Sequence, residues 1–168
     1  MIKAIVAVDK KWGIGKNNGL LFSIPEDMKF FRQKTSGKVV CMGYNTLLSF
    51  PEGKPLKNRT NIVLCSDGTP HVEGCIIVNT LSQLFEKLHD YDGQEIFVIG
   101  GAMFYRTMLD YCEEIYVTKV DADGGATVFF ENLDEKDNWQ LTYESESVQT
   151  NGYTIRFTTY KNTDVRQY

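Results

Sequence analysis

Ser23-Ile24-Pro25-Glu26-Asp27-Met28-Lys29-Phe30-Phe31 has the layout of a helix start. Ser23 can act as the cap, and Glu26 three residues on completes a capping box. Pro25 falls in the first turn, where a missing N–H costs nothing. On a wheel at about 100° per residue, Phe30, Asp27, Phe31, Ile24 and Met28 share one arc. Glu26, Lys29, Arg32 and Gln33 fill the opposite side. A carboxylate therefore lies within the apolar face, where an unpaired charge is expensive. No Lys or Arg of the segment points the same way. Two readings of Asp27 stand at this point. Either it favours the helix N-terminus through the dipole, or it waits for a cationic or donor-rich ligand.

Outward from this helix, expected to run to about Thr35, strands and helices alternate. Ile2 to Val8 is an apolar run broken only by Lys3, the pattern of a buried parallel strand. Asp9 to Gly19, with Gly13, Gly15 and Gly19, reads as a long loop after a strand, a usual place for function. Lys38 to Met42 is the next strand, and Asn45 to Ser49 a short helical turn. Pro51, Gly53 and Pro55 force a loop before strands at Thr60 to Cys65 and Gly74 to Val78. Thr80 and Gln83 form another capping box, and Leu81, Leu84, Phe85 and Leu88 mark a helix by their spacing. Glu95 to Ile99 is a central strand stopped by Gly100-Gly101. Ala102 to Leu109 reads as a helix, Glu114 to Val120 as a strand, and Asp121 to Asn138 as irregular. Two alternating runs, Trp139-Leu141-Tyr143 and Tyr153-Ile155-Phe157, flank Asn151-Gly152, a hairpin signal.

The expected fold is α/β: a single domain over residues 1–168, with a mostly parallel central sheet, helices on both faces and a C-terminal antiparallel hairpin. Ligands in such folds bind beyond the carboxyl ends of the strands. Those ends supply Ala7-Val8-Asp9, Gly43-Tyr44-Asn45-Thr46, Cys65-Ser66, Gly100-Gly101 and Thr118.

Composition narrows the class. At 168 residues, the chain suits one sizeable core. A hydrophobic content of 42% and a charged content of 24% are those of a soluble globular protein. The net charge of −4 argues against a nucleic-acid partner. No apolar run is long enough to span a membrane. Met1-Ile2-Lys3-Ala4 has no signal-peptide layout, so a cytoplasmic location is expected. Cys41, Cys65, Cys75 and Cys112 form no CxxC pair and read as small core residues in a reducing compartment. With His71 and His89 the only histidines, neither a metal site nor a Ser-His-Asp system is expected.

Gly100-Gly101 sits where a strand meets a helix, so backbone can approach a ligand and the helix start favours phosphate. A plain tight turn would need the same glycines. Gly43-Tyr44-Asn45-Thr46 repeats the layout, and two such sites suit a dinucleotide's pyrophosphate. No true G-x-G-x-x-G occurs. Arg59, after Lys54-Pro55-Leu56-Lys57-Asn58, is a surface charge on spacing alone, although a guanidinium can grip a carboxylate with two parallel bonds.

Taken together the chain resembles dihydrofolate reductase of the bacterial type over nearly its whole length. Ile5-Val6-Ala7 with Asp9, Gly13-Ile14-Gly15, Ile24 to Phe31, and Met42-Gly43 with Thr46 carry the resemblance. So do Pro55-Leu56 with Asn58-Arg59, Val98 to Gly101 with Tyr105, and Tyr116 with Thr118. Their order and spacing together are specific. The resemblance implies NADPH-dependent reduction of 7,8-dihydrofolate to tetrahydrofolate, by a monomer with no nucleic-acid or membrane partner.

It implies catalytic positions at Asp27, Phe22 and Thr118, with Asp27 pairing with pterin N3 and the 2-amino group. Substrate would also meet Ile5, Val6, Ala7, Met28, Phe31, Ser49, Phe50, Leu56 and Ile99, with Arg59 on the glutamate α-carboxylate. NADPH would lie along Ala7, Ile14, Gly15 and Asn18; along Gly43, Tyr44, Asn45 and Thr46; along Leu64, Cys65 and Ser66; and along Ile99, Gly100, Gly101, Ala102, Met103, Phe104 and Tyr105. The Gly13 to Phe22 segment would close over the hydride-transfer site and exclude water.

Four positions depart from the family pattern. Leu21-Phe22 stands for Pro-Trp, Tyr44 for a basic residue near the cofactor's 2′-phosphate, and Ala126 for an acid. A reductase of riboflavin synthesis is the nearest alternative, but its substrate has no glutamate for Arg59 to hold. A receiver domain would use Asp9 and Thr118-Lys119, yet no Asp ends the strand before Gly43. A non-catalytic nucleotide-binding module would not need Asp27 in an apolar arc.

Overall fold

Apolar runs that do not alternate must be covered on both faces, and β1 (Ile2–Val8), β4 (Val39–Gly43) and β7 (Ile96–Val98) are buried almost throughout. The structure is a computed structural model and describes residues 1–17, 19–68 and 71–168. The strands are β1 (Ile2–Val8), β2 (Gly13–Lys16), β3 (Gly19–Leu20), β4 (Val39–Gly43), β5 (Thr60–Leu64), β6 (Cys75–Val78), β7 (Ile96–Val98), β8 (Glu114–Val120), β9 (Val128–Phe129), β10 (Trp139–Glu144), β11 (Val148–Thr150) and β12 (Tyr153–Asn162). The helices are α1 (Pro25–Thr35), α2 (Tyr44–Ser49), α3 (Leu81–Leu88) and α4 (Ala102–Met108).

Among the described residues the main sheet has the order β10-β12-β8-β1-β7-β4-β5-β6. From β8 to β6 every pairing is parallel. β12 runs antiparallel to β8, and β10 antiparallel to β12. The terminal strands thus add an antiparallel edge, as expected. The strand directly across Asn151-Gly152 is β11, however, and the Trp139 run pairs with the far half of β12. Asn151 and Gly152 both have positive φ, 51° and 83°, which a two-residue hairpin turn requires.

Successive residues separate into two cores. Val39, Cys41, Ile96, Val98, Ile115 and Val117 join α3 and α4 on one face. Val40, Met42, Val63 and Phe97 join Leu47 of α2 and Phe30 and Phe31 of α1 on the other. A third cluster joins Ile24, Val120 and Ile155 to Phe22 and Tyr153.

The cleft-distal end of the sheet is tied by charge. Lys3 Nζ lies 3.0 Å from Glu95 and 3.3 Å from Glu114, and Lys38 reaches Glu95 at 3.0 Å. Burial works against the Lys3 charge. Hydrogen bonds with Glu95, Tyr116 and Glu114 outweigh it and hold the ammonium above the ordinary lysine range.

Two local expectations fail. Ser23 is not the cap of α1: Ile24 is, without a side-chain bond, and Ser23 Oγ donates to Met28 Sδ at 3.7 Å. The Asp9 to Gly19 loop is also partly strand, because β2 pairs with β3 and with β9 from the segment expected to be irregular. At α3 the Thr80 hydroxyl does accept from Gln83 N, but Gln83 Oε1 accepts from Asn79 N, one residue before the cap.

Candidate active site

α1 begins near the C-terminal end of β8 and brings Asp27 to Thr118. Glu26, Lys29, Arg32 and Gln33 are exposed, while Asp27, Phe30 and Phe31 are half-buried, as the wheel requires. Burial raises the Asp27 carboxyl above the ordinary carboxylate pKa, and a hydrogen bond with the Thr118 side chain pulls the other way. Thr118 is buried and stands in register with Ala7 of β1. The Tyr105 hydroxyl donates to Ile5 O at 2.7 Å, and burial first, then the Asp27 charge, raises its pKa.

The walls come from the α1 face of the sheet. Ile5, Phe31, Phe50, Leu56, Ile99 and Tyr44 belong to one cluster. Met28, 49% exposed, stands at the open end of the arc. Arg59 closes the far end. Its Nε donates to Thr35 Oγ1 at 3.2 Å and its Nη1 to Lys57 O at 2.8 Å, while its plane lies 5.9 Å from the Phe31 ring. Burial, then Arg32 nearby, lowers its pKa, so an anion placed here would relieve both effects.

The other half of the cleft is bare backbone. Gly43 N donates to Gly100 O at 2.9 Å, joining the ends of β4 and β7. Gly100 has φ 128°, and the Gly100–Gly101 peptide is cis. A Cβ at Gly100 would come within 3.4 Å of Tyr105 Cε2 and 3.5 Å of Thr46 Oγ1. Gly43 and Gly101 cap α2 and α4 with no side-chain cap bond. The first turns of α2 and α4 thus lack a capping side chain, which leaves their N–H groups as donors of the kind a pyrophosphate needs. These residues fit a nicotinamide dinucleotide.

Several positions behave differently from the expectation. Val6 belongs to the opposite core, so only its backbone can meet a ligand on the Ile5 side. The Ser49 hydroxyl is committed to Thr46 O at 2.6 Å. The Phe104 ring is buried in the core, whereas neighbouring Met103 is 80% exposed. Phe22 packs edge-on against Tyr153, centroids 5.2 Å apart, and so is anchored on the hairpin. Ile14 and Leu64 pack toward the first core. Cys65 is buried and takes a bond from Asn79 Nδ2, while Ser66, Asp67 and Asn45 are exposed. Gly15 is buried, and Ala7, Thr46 and Ala102 are half-buried. Asn18 lies outside the described residues. Thr35 and the Lys57 carbonyl orient Arg59, and neither is among the site residues that the resemblance implies. The spacing of Thr35 four residues after Phe31 on the same helical face was the available signal.

A half-buried carboxylate beside a glycine-lined, donor-rich cleft suits an α/β enzyme that binds a phosphate-bearing cofactor against a nitrogen heterocycle. A model of the dihydrofolate reductase family matches residues 1–162, and the chain belongs to that family. The dihydrofolate reductase of Bacillus subtilis is 34% identical over 163 residues, covering 96% of this chain and 94% of that protein. That of Haemophilus influenzae is 33% identical over 155 residues, covering 91% and 93%. Among solved structures, dihydrofolate reductase from Enterococcus faecalis, complexed with NADP(H) and RAB-propyl, superposes with a TM-score of 0.84 at 27% identity, covering 98% and 97%.

Proposed function

We propose that the chain reduces 7,8-dihydrofolate to 5,6,7,8-tetrahydrofolate with NADPH. Family membership and the partly solvent-shielded Asp27 beside Thr118 support this reading. Bound NADPH supplies the hydride that reaches pterin C6. Asp27 pairs with N3 and the 2-amino group of the ring, an amidine-like edge that gives its charge a partner. That pairing raises the basicity of the ring, so that N5 takes a proton, delivered by water. Thr118 orients the carboxylate. Arg59 holds the glutamate α-carboxylate, and Ile5, Phe31, Phe50, Leu56 and Ile99 exclude water from the pterin and the benzoyl group.

Residues 1–168 act as one domain, as a monomer in the cytoplasm. The net charge of −4 speaks against a nucleic-acid partner, and no helix among the described residues is long and apolar enough to cross a membrane. The receiver reading is not favoured: Asp9 is occupied by backbone N–H groups and has no acid partner after β4. The riboflavin-type reading is not favoured either, because Arg59 is held with part of its fork free. The test is loss of reduced-nicotinamide absorbance on adding dihydrofolate. Equal loss without dihydrofolate would defeat the reading.

Cofactor choice follows from Tyr44, Ser66 and Asp67, none of which offers a cation to a ribose 2′-phosphate. NADPH is expected to outperform NADH by a modest margin. Tyr44→Arg should raise the ratio of kcat/KM values about tenfold, the scale of one charge-assisted contact. A wild-type ratio already large and unmoved by the substitution would contradict this.

A further inference from the structure

Leu56 and Arg59 sit on one short turn before β5, and both serve the same end of the cleft. Every carbonyl of such a turn needs a donor. Lys57 O accepts from Arg59 Nη1 at 2.8 Å, and Asn58 O from Gly37 N at 2.7 Å. The first and last carbonyls go to a single side chain. Asn61 Nδ2 donates to Leu56 O at 2.9 Å and to Arg59 O at 3.3 Å. The same carboxamide accepts from Leu56 N through Oδ1 at 3.1 Å. Only this orientation of the amide works, because turned over its oxygen would face two carbonyl oxygens.

Asn61 is a firm base for these bonds. Its backbone lies within the sheet, in register with Val40 of β4 on one side and Cys75 of β6 on the other. With 2% of its surface exposed, it cannot itself meet a substrate. Its effect passes through the turn. The carbonyls of Leu56 and Arg59 point inward to Asn61, and Asn58 takes the left-handed conformation at φ 57° that asparagine tolerates. The Lys57 carbonyl is then the one that meets the guanidinium, and it is one of the two anchors of Arg59.

We infer that Asn61 is a positioning residue: its carboxamide shapes the 56–59 turn so that Leu56 and the fork of Arg59 meet the carboxylate-bearing tail of the substrate. The inference rests on the reductase reading for its kinetic consequence, whereas the hold on the turn does not.

The test compares wild type with Asn61→Ala on dihydrofolate and on 6-methyl-7,8-dihydropterin, which lacks the tail. Asn61→Ala removes the carboxamide without adding a charge that could repel the substrate. KM for dihydrofolate should rise about tenfold, the scale of one or two lost hydrogen bonds. Both kcat and KM for NADPH should stay within about twofold, because the lost interaction serves ground state and transition state alike. On the tail-less pterin kcat/KM should also stay within about twofold, which a general loosening of the fold would not allow. In an Arg59→Lys background the same substitution should add no more than about threefold, since the two residues act as one unit. On the free protein, amide exchange should accelerate at Leu56 and stay unchanged in β1 and β7. An unmoved KM for dihydrofolate would overturn the inference, as would an equal loss on the tail-less pterin or a full tenfold loss in the Arg59→Lys background. If Asn61→Ala does not fold, Asn61→Thr serves instead: it suits a strand, and its hydroxyl is too short to span both carbonyls. It should give the same split between the two substrates, and a wild-type KM there would overturn the inference. An inactive wild type would defeat the reductase reading, and faster exchange at Leu56 would still show the hold of Asn61 on the turn. Unchanged exchange at Leu56 would overturn the inference whatever the activity.

Discussion

Asp27→Asn should slow hydride transfer at pH 7 by at least about a hundredfold, within the range expected for loss of a group that controls protonation. Asn keeps the shape and the Thr118 contact but cannot offset a proton gained by the ring. The loss should shrink as the pH falls, because substrate then arrives already protonated. Stability should move the other way. The folded-state pKa of Asp27 is raised, chiefly by burial. A carboxyl raised in this way stabilises the fold below its unfolded pKa, and that contribution disappears as pH rises through the folded value. At neutral pH the ligand-free protein therefore carries a partly desolvated charge, and Asn removes it. Denaturant unfolding of the free protein at pH 7 should show Asp27→Asn at least as stable as wild type, with the advantage lost in acid. Near-wild-type hydride transfer at pH 7 would rule out the role given to Asp27.

Arg59→Lys should raise KM for dihydrofolate about tenfold or more and leave KM for NADPH within about twofold. Arg59 is fixed by Thr35 Oγ1 and Lys57 O, and the rest of its fork is open to a planar carboxylate. A lysine keeps the charge but cannot hold both anchors and two parallel bonds to a ligand. Thr35→Val, which removes one anchor, should have a smaller effect in the same direction. A pterin substrate without the glutamate tail provides the check. If Arg59→Lys weakens it equally, the guanidinium does not act on the carboxylate.

The periodic parts of this molecule were legible before any coordinates. β1 and β8 run as their apolar residues say, and the Asp27 arc faces inward because side chains on a helix repeat on a fixed angle. The failures share a cause. β2 pairs with β9 across more than a hundred residues, and Gly-Ile-Gly-Lys has no period to announce a partner that distant. Ser23 looked like a cap because the sequence shows spacing but not where a hydroxyl turns, and here it turns to Met28 Sδ. Strand alternation sends the side chains of Ile5 and Val6 to opposite faces, so a ligand on the Ile5 side meets Val6 through its backbone. Phe104 sits in a helix whose first turn faces the cleft, but its own ring looks into the core. The orientation of Arg59 needed two partners, Thr35 from α1 and Lys57 from its own loop, and only the fold brings these together.

The charged knot at the cleft-distal end of the sheet bears on how the protein can be handled. Acylating reagents attack a neutral amine. Lys3 is held as an ammonium between Glu95 and Glu114 with its side chain only 11% exposed, so such reagents pass over it. Exposed lysines are open to them, and Lys16, Lys29 and Lys57 belong to the Gly13 to Phe22 segment, to α1 beside Met28, and to the loop that orients Arg59. Attachment to a resin through those three lysines would tie the protein down by the rim of its own cleft. Lys161, exposed on β12 and level with Glu114, lies toward the opposite pole, and a linkage directed there leaves the mouth of the cleft facing solution.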